Sequence, residues 1–442
     1  MSSAALLRRY GTATVPRYTS YPPANLWGPS DADFARTTLA RAGSRPLSLY
    51  VHVPFCHKLC LYCGCNMLVT KSQALVERYL AALEVEIERT TALLGARAPV
   101  VQVHLGGGTP TYLNEAQLAR VMAAIDRSLS RVRACETSIE VHPPVTTVAQ
   151  LATLRALGFS RLSMGVQDFD PDVQARIRRT QPFEQTRDLF IAARQLGFRS
   201  ISVDLMYGLP LQTLASFERT LDLVAELRPD RLALFGYAHM PVLKKHQAVL
   251  TPDLPGPALR LALFQLATEH LAARGYEHVG LDHFALPEDE LCRARKDRTL
   301  RRNFMGYTTC AASDVLAFGP SAIGEIDGDL LQNARGVLEW AQRIESSALP
   351  AVRGWRSSAD DVRRREIIHR LFCELEVDRD FAMPMLGDNA PMLAALISDG
   401  LVELDDVKLR VTPLGRSYLR NVAVVFDAYF AAGPPRTYSV AV

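Results

Sequence analysis

The chain has 442 residues, of which 48% are hydrophobic and 22% charged, with a formal net charge of +3. That balance excludes a disordered or fibrous chain, and scattered basic residues with so little net charge give no reason to expect nucleic acid as a partner. The short apolar run in "MSSAALLRRYG" is neither a signal peptide nor a membrane span, so the expectation is a cytoplasmic monomer with no membrane partner.

In chain order, residues 1–45 read as an irregular leader carrying the polar-aromatic run "PRYTSYPP" (16–23). From about Pro46 to Tyr237, short β-branched runs then alternate with longer helical patterns. The runs are "LSLYVHV" (47–53), "VVQVHL" (100–105), "SIEVH" (138–142), "RLSMGVQ" (161–167), "ISVDLMYGL" (201–209) and "RLALFGY" (231–237). Each predicts a strand buried on both faces. Residues 74–94 and 115–129 predict helices between them, with Asn114 and Ser216 as capping residues at helix starts. Strand, helix, strand in repetition forces parallel pairing, and six units predict an α/β fold, an open TIM-like (β/α)6 barrel over residues 46–240. Residues 241–350 are expected to extend the barrel and cover its active site. Residues 351–442, a helix, a turn at Asp399-Gly400, two short strands and a closing helix, resemble a winged-helix module. No helix there is basic along a whole face, which favours packing over DNA binding.

Chemistry in such barrels sits at the carboxyl ends of the strands, and the unusual residues fall there. After the first run comes "YVHVPFCHKLCLYCGCN" (50–66), with Cys56, Cys60, Cys63 and Cys65 in one short loop. The other four cysteines are isolated, so a disulfide framework is not expected. Three close thiolates can hold three irons of a 4Fe-4S cluster and leave the fourth open. A zinc knot usually gathers two separated pairs, and a ferredoxin spaces its first pair by two with a distant fourth ligand; the spacing here disfavours both. "GGGTP" (106–110) is either a tight turn or a close approach to a cofactor. Glu140, on an apolar strand, is either a core ion pair or a ligand-binding carboxylate, and Gln167 and Asp204 share that ambiguity.

Cys56-x3-Cys60-x2-Cys63 is the radical S-adenosylmethionine motif. With "PRYTSYP", "GGGTPTYL", "RLSMGVQDF", "DLMYGLP", "YAH", "DHFA" and "NFxGYTT" in order from about Arg17 to Phe430, the chain resembles the oxygen-independent coproporphyrinogen III oxidase (coproporphyrinogen dehydrogenase) family of radical SAM oxidoreductases. The resemblance implies Cys56, Cys60 and Cys63 as ligands of a 4Fe-4S cluster, with Cys65 present but not bound to iron. It implies two molecules of S-adenosylmethionine. Positions matching Tyr50, Gly107, Glu140, Ala238 and Ile323 contact the first, and those matching Tyr62, Gly108, Thr109, Gln167, Arg179 and Asp204 the second.

The implied reaction belongs to heme biosynthesis. A 5'-deoxyadenosyl radical removes a β-hydrogen from a propionate of coproporphyrinogen III, and loss of CO2 and one electron leaves a vinyl group; two such rounds give protoporphyrinogen IX. An electron donor and an electron acceptor are implied, both unidentified. Arg17 and Arg301-Arg302 are candidates for the substrate carboxylates, since forked guanidinium donors match them. Tyr18, Tyr21 and Tyr307 are candidates for a lid over a flat macrocycle. No histidine is assigned to iron.

Four positions depart from the family pattern. Tyr62 replaces a common phenylalanine, "EVHPP" (140–144) an "EVDPR"-like run, Gly236 an asparagine, and Met305 a frequent glutamine. The rival readings are a radical SAM enzyme that methylates or opens another tetrapyrrole, and a heme-chaperone relative. The chaperone usually lacks the fourth cysteine and the "PRYTSYP" leader, and this chain has both.

Overall fold

The computed structural model of the protein describes residues 3–96, 98–310, 312, 314–430 and 438–441. The leader is less irregular than its sequence suggests. Helix α1 (Ala32–Ala40) starts at Asp31, whose carboxylate accepts from the Phe34 amide. Strand β1 (Leu47–Val53) is buried at every position, as a continuous apolar run must be when both faces of its sheet are covered. Then follow α2 (Gln73–Ala92), β2 (Val100–Gly107), α3 (Glu115–Ser128), β3 (Arg131–Val141), α4 (Val148–Ala156), β4 (Arg161–Gln167), α5 (Pro171–Arg176), α6 (Phe183–Gln195), β5 (Ser200–Tyr207), α7 (Leu214–Leu227) and β6 (Arg231–Gly236).

The six strands pair in parallel in chain order. Strand β1 does not pair with β6, so the sheet curls into an open TIM-like barrel of the α/β class. On α2, Val76, Leu80, Leu83 and Ile87 recur at helical spacing and join Leu49, Val51 and Val103 in the main core. Helix α3 begins at Asn114 with a full capping box, Asn114 and Gln117 each accepting from the other's backbone amide. Helix α7 corrects the expectation for Ser216. Its cap is Thr213, and Ser216 is the reciprocal partner one turn inside; a serine hydroxyl can serve either end of a capping box. Strand β3 starts seven residues before the predicted run because Arg131–Cys135 is partly solvent-facing and lacks the apolar signature.

Residues beyond the six units add to the sheet itself. At the β6 edge, β7 (Glu277–Val279) pairs with β8 (His283–Ala285), which pairs antiparallel with β6. Strands β9 (Arg301–Asn303) and β10 (Gly306–Thr308) form a separate hairpin. At the other edge β11 (Asp314–Phe318) runs parallel to β1 and is followed by antiparallel β12 (Ile323–Ile326), β13 (Asp329–Asn333) and β14 (Ala351–Trp355).

The C-terminal module comprises α8 (Ala359–Glu374), β15 (Glu376–Asp378), α9 (Ala390–Ser398), β16 (Val402–Leu404), β17 (Lys408–Val411) and α10 (Leu419–Val424). Strand β17 lies between β15 and β16. The sequence reading missed β15: three residues straight after a helix carry no periodicity.

The tyrosines expected to form a lid are packed instead. Tyr18 and Tyr21 share an apolar cluster with Ile367, Phe372 and Phe426 of the C-terminal module. The Tyr18 hydroxyl donates to Asp427 at 2.9 Å, and that of Tyr21 accepts from the Ala428 amide at 3.1 Å. Tyr307 donates to the Phe372 carbonyl and accepts from the Leu281 amide. A buried phenol needs such partners, and these rings find them between segments. Among the described residues, no helix is long and apolar enough to cross a membrane.

Candidate functional site

The cysteine loop leaves β1 and is tied at its root, where Phe55–Cys56 pairs with Leu68–Val69. Its carbonyls are held from outside. Gln247 donates to Tyr62 O at 2.9 Å, the His246 ring meets Cys63 O at 2.9 Å, and Lys244 donates to Cys65 O at 2.8 Å. All four thiols are free. Burial pushes the Cys56 thiol up to about 11, a cost that a bound metal removes by taking the thiolate. Among the described residues no three His, Cys, Asp or Glu side chains are arranged around one metal ion. The ligands of a cluster each take a different iron, so their sulfurs ring a cube rather than meet at a point.

Cys56, Cys60 and Cys63 line a cavity of about 960 Å³ at the carboxyl ends of the barrel strands. Gly107, Gly108 and Thr109 form its β2 side, and Thr109 Oγ1 is 3.4 Å from Cys56 Sγ. The glycines are there for close approach. Gly107 has φ +120°, and a Cβ on it would lie 2.8 Å from the His52 ring; one on Gly108 would lie 2.8 Å from the Phe55 carbonyl.

Glu140, Gln167 and Asp204 line the same cavity from β3, β4 and β5. Glu140 is no core ion pair. Its side chain is 43% exposed, it accepts from the Gly107 amide at 3.1 Å, and its nearest basic group is the His104 ring at 3.4 Å. Gln167 has φ +72° at a register shift between β4 and β5, which re-aims the end of the strand. Asp204 accepts from the Ser163 hydroxyl at 2.8 Å, and burial raises its carboxyl from 3.8 to about 6. Tyr62, Arg179 and Ala238 complete the expected wall residues. Arg179 donates to Gly165 O at 2.5 Å and approaches Cys60 Sγ at 3.8 Å.

Two expected residues do not line this cavity. Tyr50, 5% exposed, stands behind Gly106, with its hydroxyl 2.9 Å from His52 Nδ1. Ile323, 7% exposed, packs with Trp27 and Leu330. Both side chains belong to the core beside β11, where pairing puts Ala317 opposite Tyr50.

Of the arginine candidates, Arg17 lines the cavity and Arg301-Arg302 does not. Arg302 donates to Tyr18 O at 2.6 Å and lies over the Phe372 ring, which pins the leader. Lys58, His142, Arg178 and Phe235 are wall residues the sequence reading did not single out. Each lies within two positions of a residue that was, His142 inside the "EVHPP" departure itself, and proximity is the signal that could have found them. Burial first, then Arg179 and His57, push His142 down to about 3, so its ring is neutral. The glycine at 236 also has a cause: a Cβ there would lie 2.8 Å from the Tyr207 hydroxyl. Met305 packs beside Tyr50 and Val315 in an apolar cluster.

Comparison with known proteins gives the same picture at the scale of the whole chain. Residues 50–224 match the radical SAM superfamily. The chain is 42% identical to the oxygen-independent coproporphyrinogen III oxidase of Escherichia coli (strain K12) over 436 residues, 96% of this chain and 95% of that one. It is also 42% identical, over 442 residues, to the protein of that name in Pseudomonas aeruginosa, with the same coverage. The solved structure of the Escherichia coli coproporphyrinogen III oxidase HemN, described as a radical SAM enzyme, superposes with a TM-score of 0.90 at 41% identity, covering 97% of this chain and 99% of that one. The chain belongs to the oxygen-independent coproporphyrinogen III oxidase family of the radical SAM superfamily.

Proposed function

We infer that this protein is the radical SAM oxidoreductase that converts two propionates of coproporphyrinogen III to vinyl groups without oxygen, giving protoporphyrinogen IX in heme biosynthesis. The observation that carries this reading is the meeting of Cys56, Cys60, Cys63, the Gly107-Gly108 turn and Glu140 on one cavity, in a chain matched end to end by coproporphyrinogen oxidases.

The free thiols in one tied loop fit a 4Fe-4S cluster, with Cys56, Cys60 and Cys63 as its ligands. When bound, the cluster and S-adenosylmethionine supply the hydrogen-abstracting radical chemistry. The chain's own task is placement and exclusion of water. Gly107, Glu140 and Ala238 hold the first S-adenosylmethionine, with Tyr50 and Ile323 closing that group from the β11 side. Tyr62, Gly108, Thr109, Gln167, Arg179 and Asp204 hold a second. The carboxylate of Glu140 suits the ammonium group of the first, and the guanidinium of Arg179 the carboxylate of the second. Tyr62 offers a ring to an adenine.

Four parts cooperate in this reading: leader (1–45), barrel (46–240), extension over the site (241–350) and winged-helix-like module (351–442), the last gripping the leader through Tyr18 and Asp427. Free thiols beside an oxygen-sensitive cluster suit the cytoplasm.

The test is anaerobic. Reconstituted protein given S-adenosylmethionine, reductant and coproporphyrinogen III is expected to release 5'-deoxyadenosine and vinyl product. Deoxyadenosine without vinyl product would exclude the substrate, and tight heme binding without turnover would point to a chaperone. Cys60→Ala is expected to lose both the cluster absorbance and turnover.

A further inference from the structure

Among the described residues, Arg17 is a cation of the cavity wall that bonds no carboxylate. Arg17 sits beside Gly236 at the end of β6, where its Nη2 donates to Gly236 O at 2.7 Å and its Nε to Ser439 Oγ at 3.3 Å. Both acceptors are neutral. Among the described residues no hydrogen bond engages its Nη1 and no carboxylate comes within ion-pairing distance of the guanidinium. Asp282, the nearby acid whose field it feels, is bonded to the His283 ring at 2.7 Å. That one carboxylate is shared with Arg302, so two desolvated guanidinium groups face a single acid, an imbalance that is expensive.

Its neighbours make the excess larger. Arg302 and Arg420 both lie within electrostatic range of Arg17. Both are already engaged: Arg302 with Tyr18 O, and Arg420 with the carbonyls of Val15, Pro16 and Val440 and with Ser439 Oγ. Those bonds hold the leader on either side of Arg17, so its position is built rather than accidental. Of the three, Arg17 alone lines the cavity. Of the other cations of the wall, Arg179 is engaged with Cys60 and Gly165, and Lys58 and Arg178 are exposed to solvent.

We propose that Arg17 is the receptor for a propionate carboxylate of the tetrapyrrole, its unengaged guanidinium edge closing on the two oxygens. This rests on the function inferred above and adds to it the group that orients the macrocycle in the mouth. The carboxylate supplies a bonded anion that Arg17 lacks in the described residues, and the leader, clamped by Arg302 and Arg420, keeps the guanidinium from swinging to solvent.

Arg17→Gln, Arg17→Lys and Ser439→Ala test it in the full chain with its cluster rebuilt. Equilibrium binding of coproporphyrinogen III is measured anaerobically without reductant, beside KM under turnover. Arg17→Gln is expected to weaken binding by roughly tenfold to a hundredfold, the loss of a charge-assisted pair. Arg17→Lys, which keeps the charge, recovers part of this. Cluster content and S-adenosylmethionine affinity stay at the wild-type level in both. Ser439→Ala removes one neutral acceptor shared by Arg17 and Arg420, outside the cavity wall, and is expected to change affinity by no more than about twofold. Wild-type affinity in cluster-loaded Arg17→Gln would overturn the proposal, as would an equal loss in Ser439→Ala. Wild-type protein that neither binds nor converts coproporphyrinogen III would instead overturn the function itself.

Discussion

Asp204 shows how much a single residue type can and cannot say. A carboxylate on an apolar strand was legible as expensive, and hence as a candidate; that it faces a cavity and takes the Ser163 hydroxyl as partner required neighbours from another strand. Burial raises its carboxyl to about 6. It is therefore ionised at neutral pH and becomes protonated as the pH falls through about 6. If it holds S-adenosylmethionine as proposed, affinity measured by equilibrium dialysis falls between about pH 7 and pH 5 in wild type, approaching tenfold per unit below its pKa. In Asp204→Asn the affinity is lower and nearly flat across that range. Tyr50 and Ile323 mark the opposite limit. Motif position placed them at the site, and their side chains lie in the core beside it.

Helices and strands were most legible where their signal is local. The runs at 47–53 and 161–167 coincide with β1 and β4 because every residue of the first and five of the seven in the second are buried. The Asn114 cap was readable because its partner Gln117 lies three residues away. Asn114→Ala is expected to lower stability by about 1 kcal/mol, seen as a lower denaturant midpoint with unchanged slope, and Gln117→Ala by a smaller amount. Where two residues could fill one role, local reading chose wrongly, as at Ser216 and Thr213. Where a strand is short or half-exposed, as in β15 and the start of β3, pairing rather than pattern creates it.

The molecule as a whole is held by contacts no local pattern reveals. Glu86 on α2, fully buried, accepts from the Gly319 amide at 2.8 Å and from Asn333 Nδ2 at 2.6 Å, joining the barrel to β11 and β13. Burial, opposed by those two donors, raises its carboxyl from 4.5 to about 7. Because the folded value is raised, the contribution is fully present below 4.5 and is lost as the pH rises through 7. The loss is about 3 kcal/mol at most. Wild-type stability is expected to fall between about pH 5 and pH 8 by more than that of Glu86→Gln, which cannot ionise; equal slopes in parallel denaturation series would refute it.

By itself the sequence determined the six-unit barrel, its open parallel order and the four-cysteine loop, since alternation, burial and ligand spacing are written within a few tens of residues. It also carried the family resemblance, which runs through seven short motifs in order. Only the tertiary structure decided that Tyr18 belongs to a core with Asp427, 409 positions away, that Arg302 clamps backbone, and that Arg17 faces the cavity while bonded to neutral acceptors. Those outcomes depend on which distant groups compete for the same hydrogen bonds and the same buried space, and that competition exists only once the chain has closed on itself.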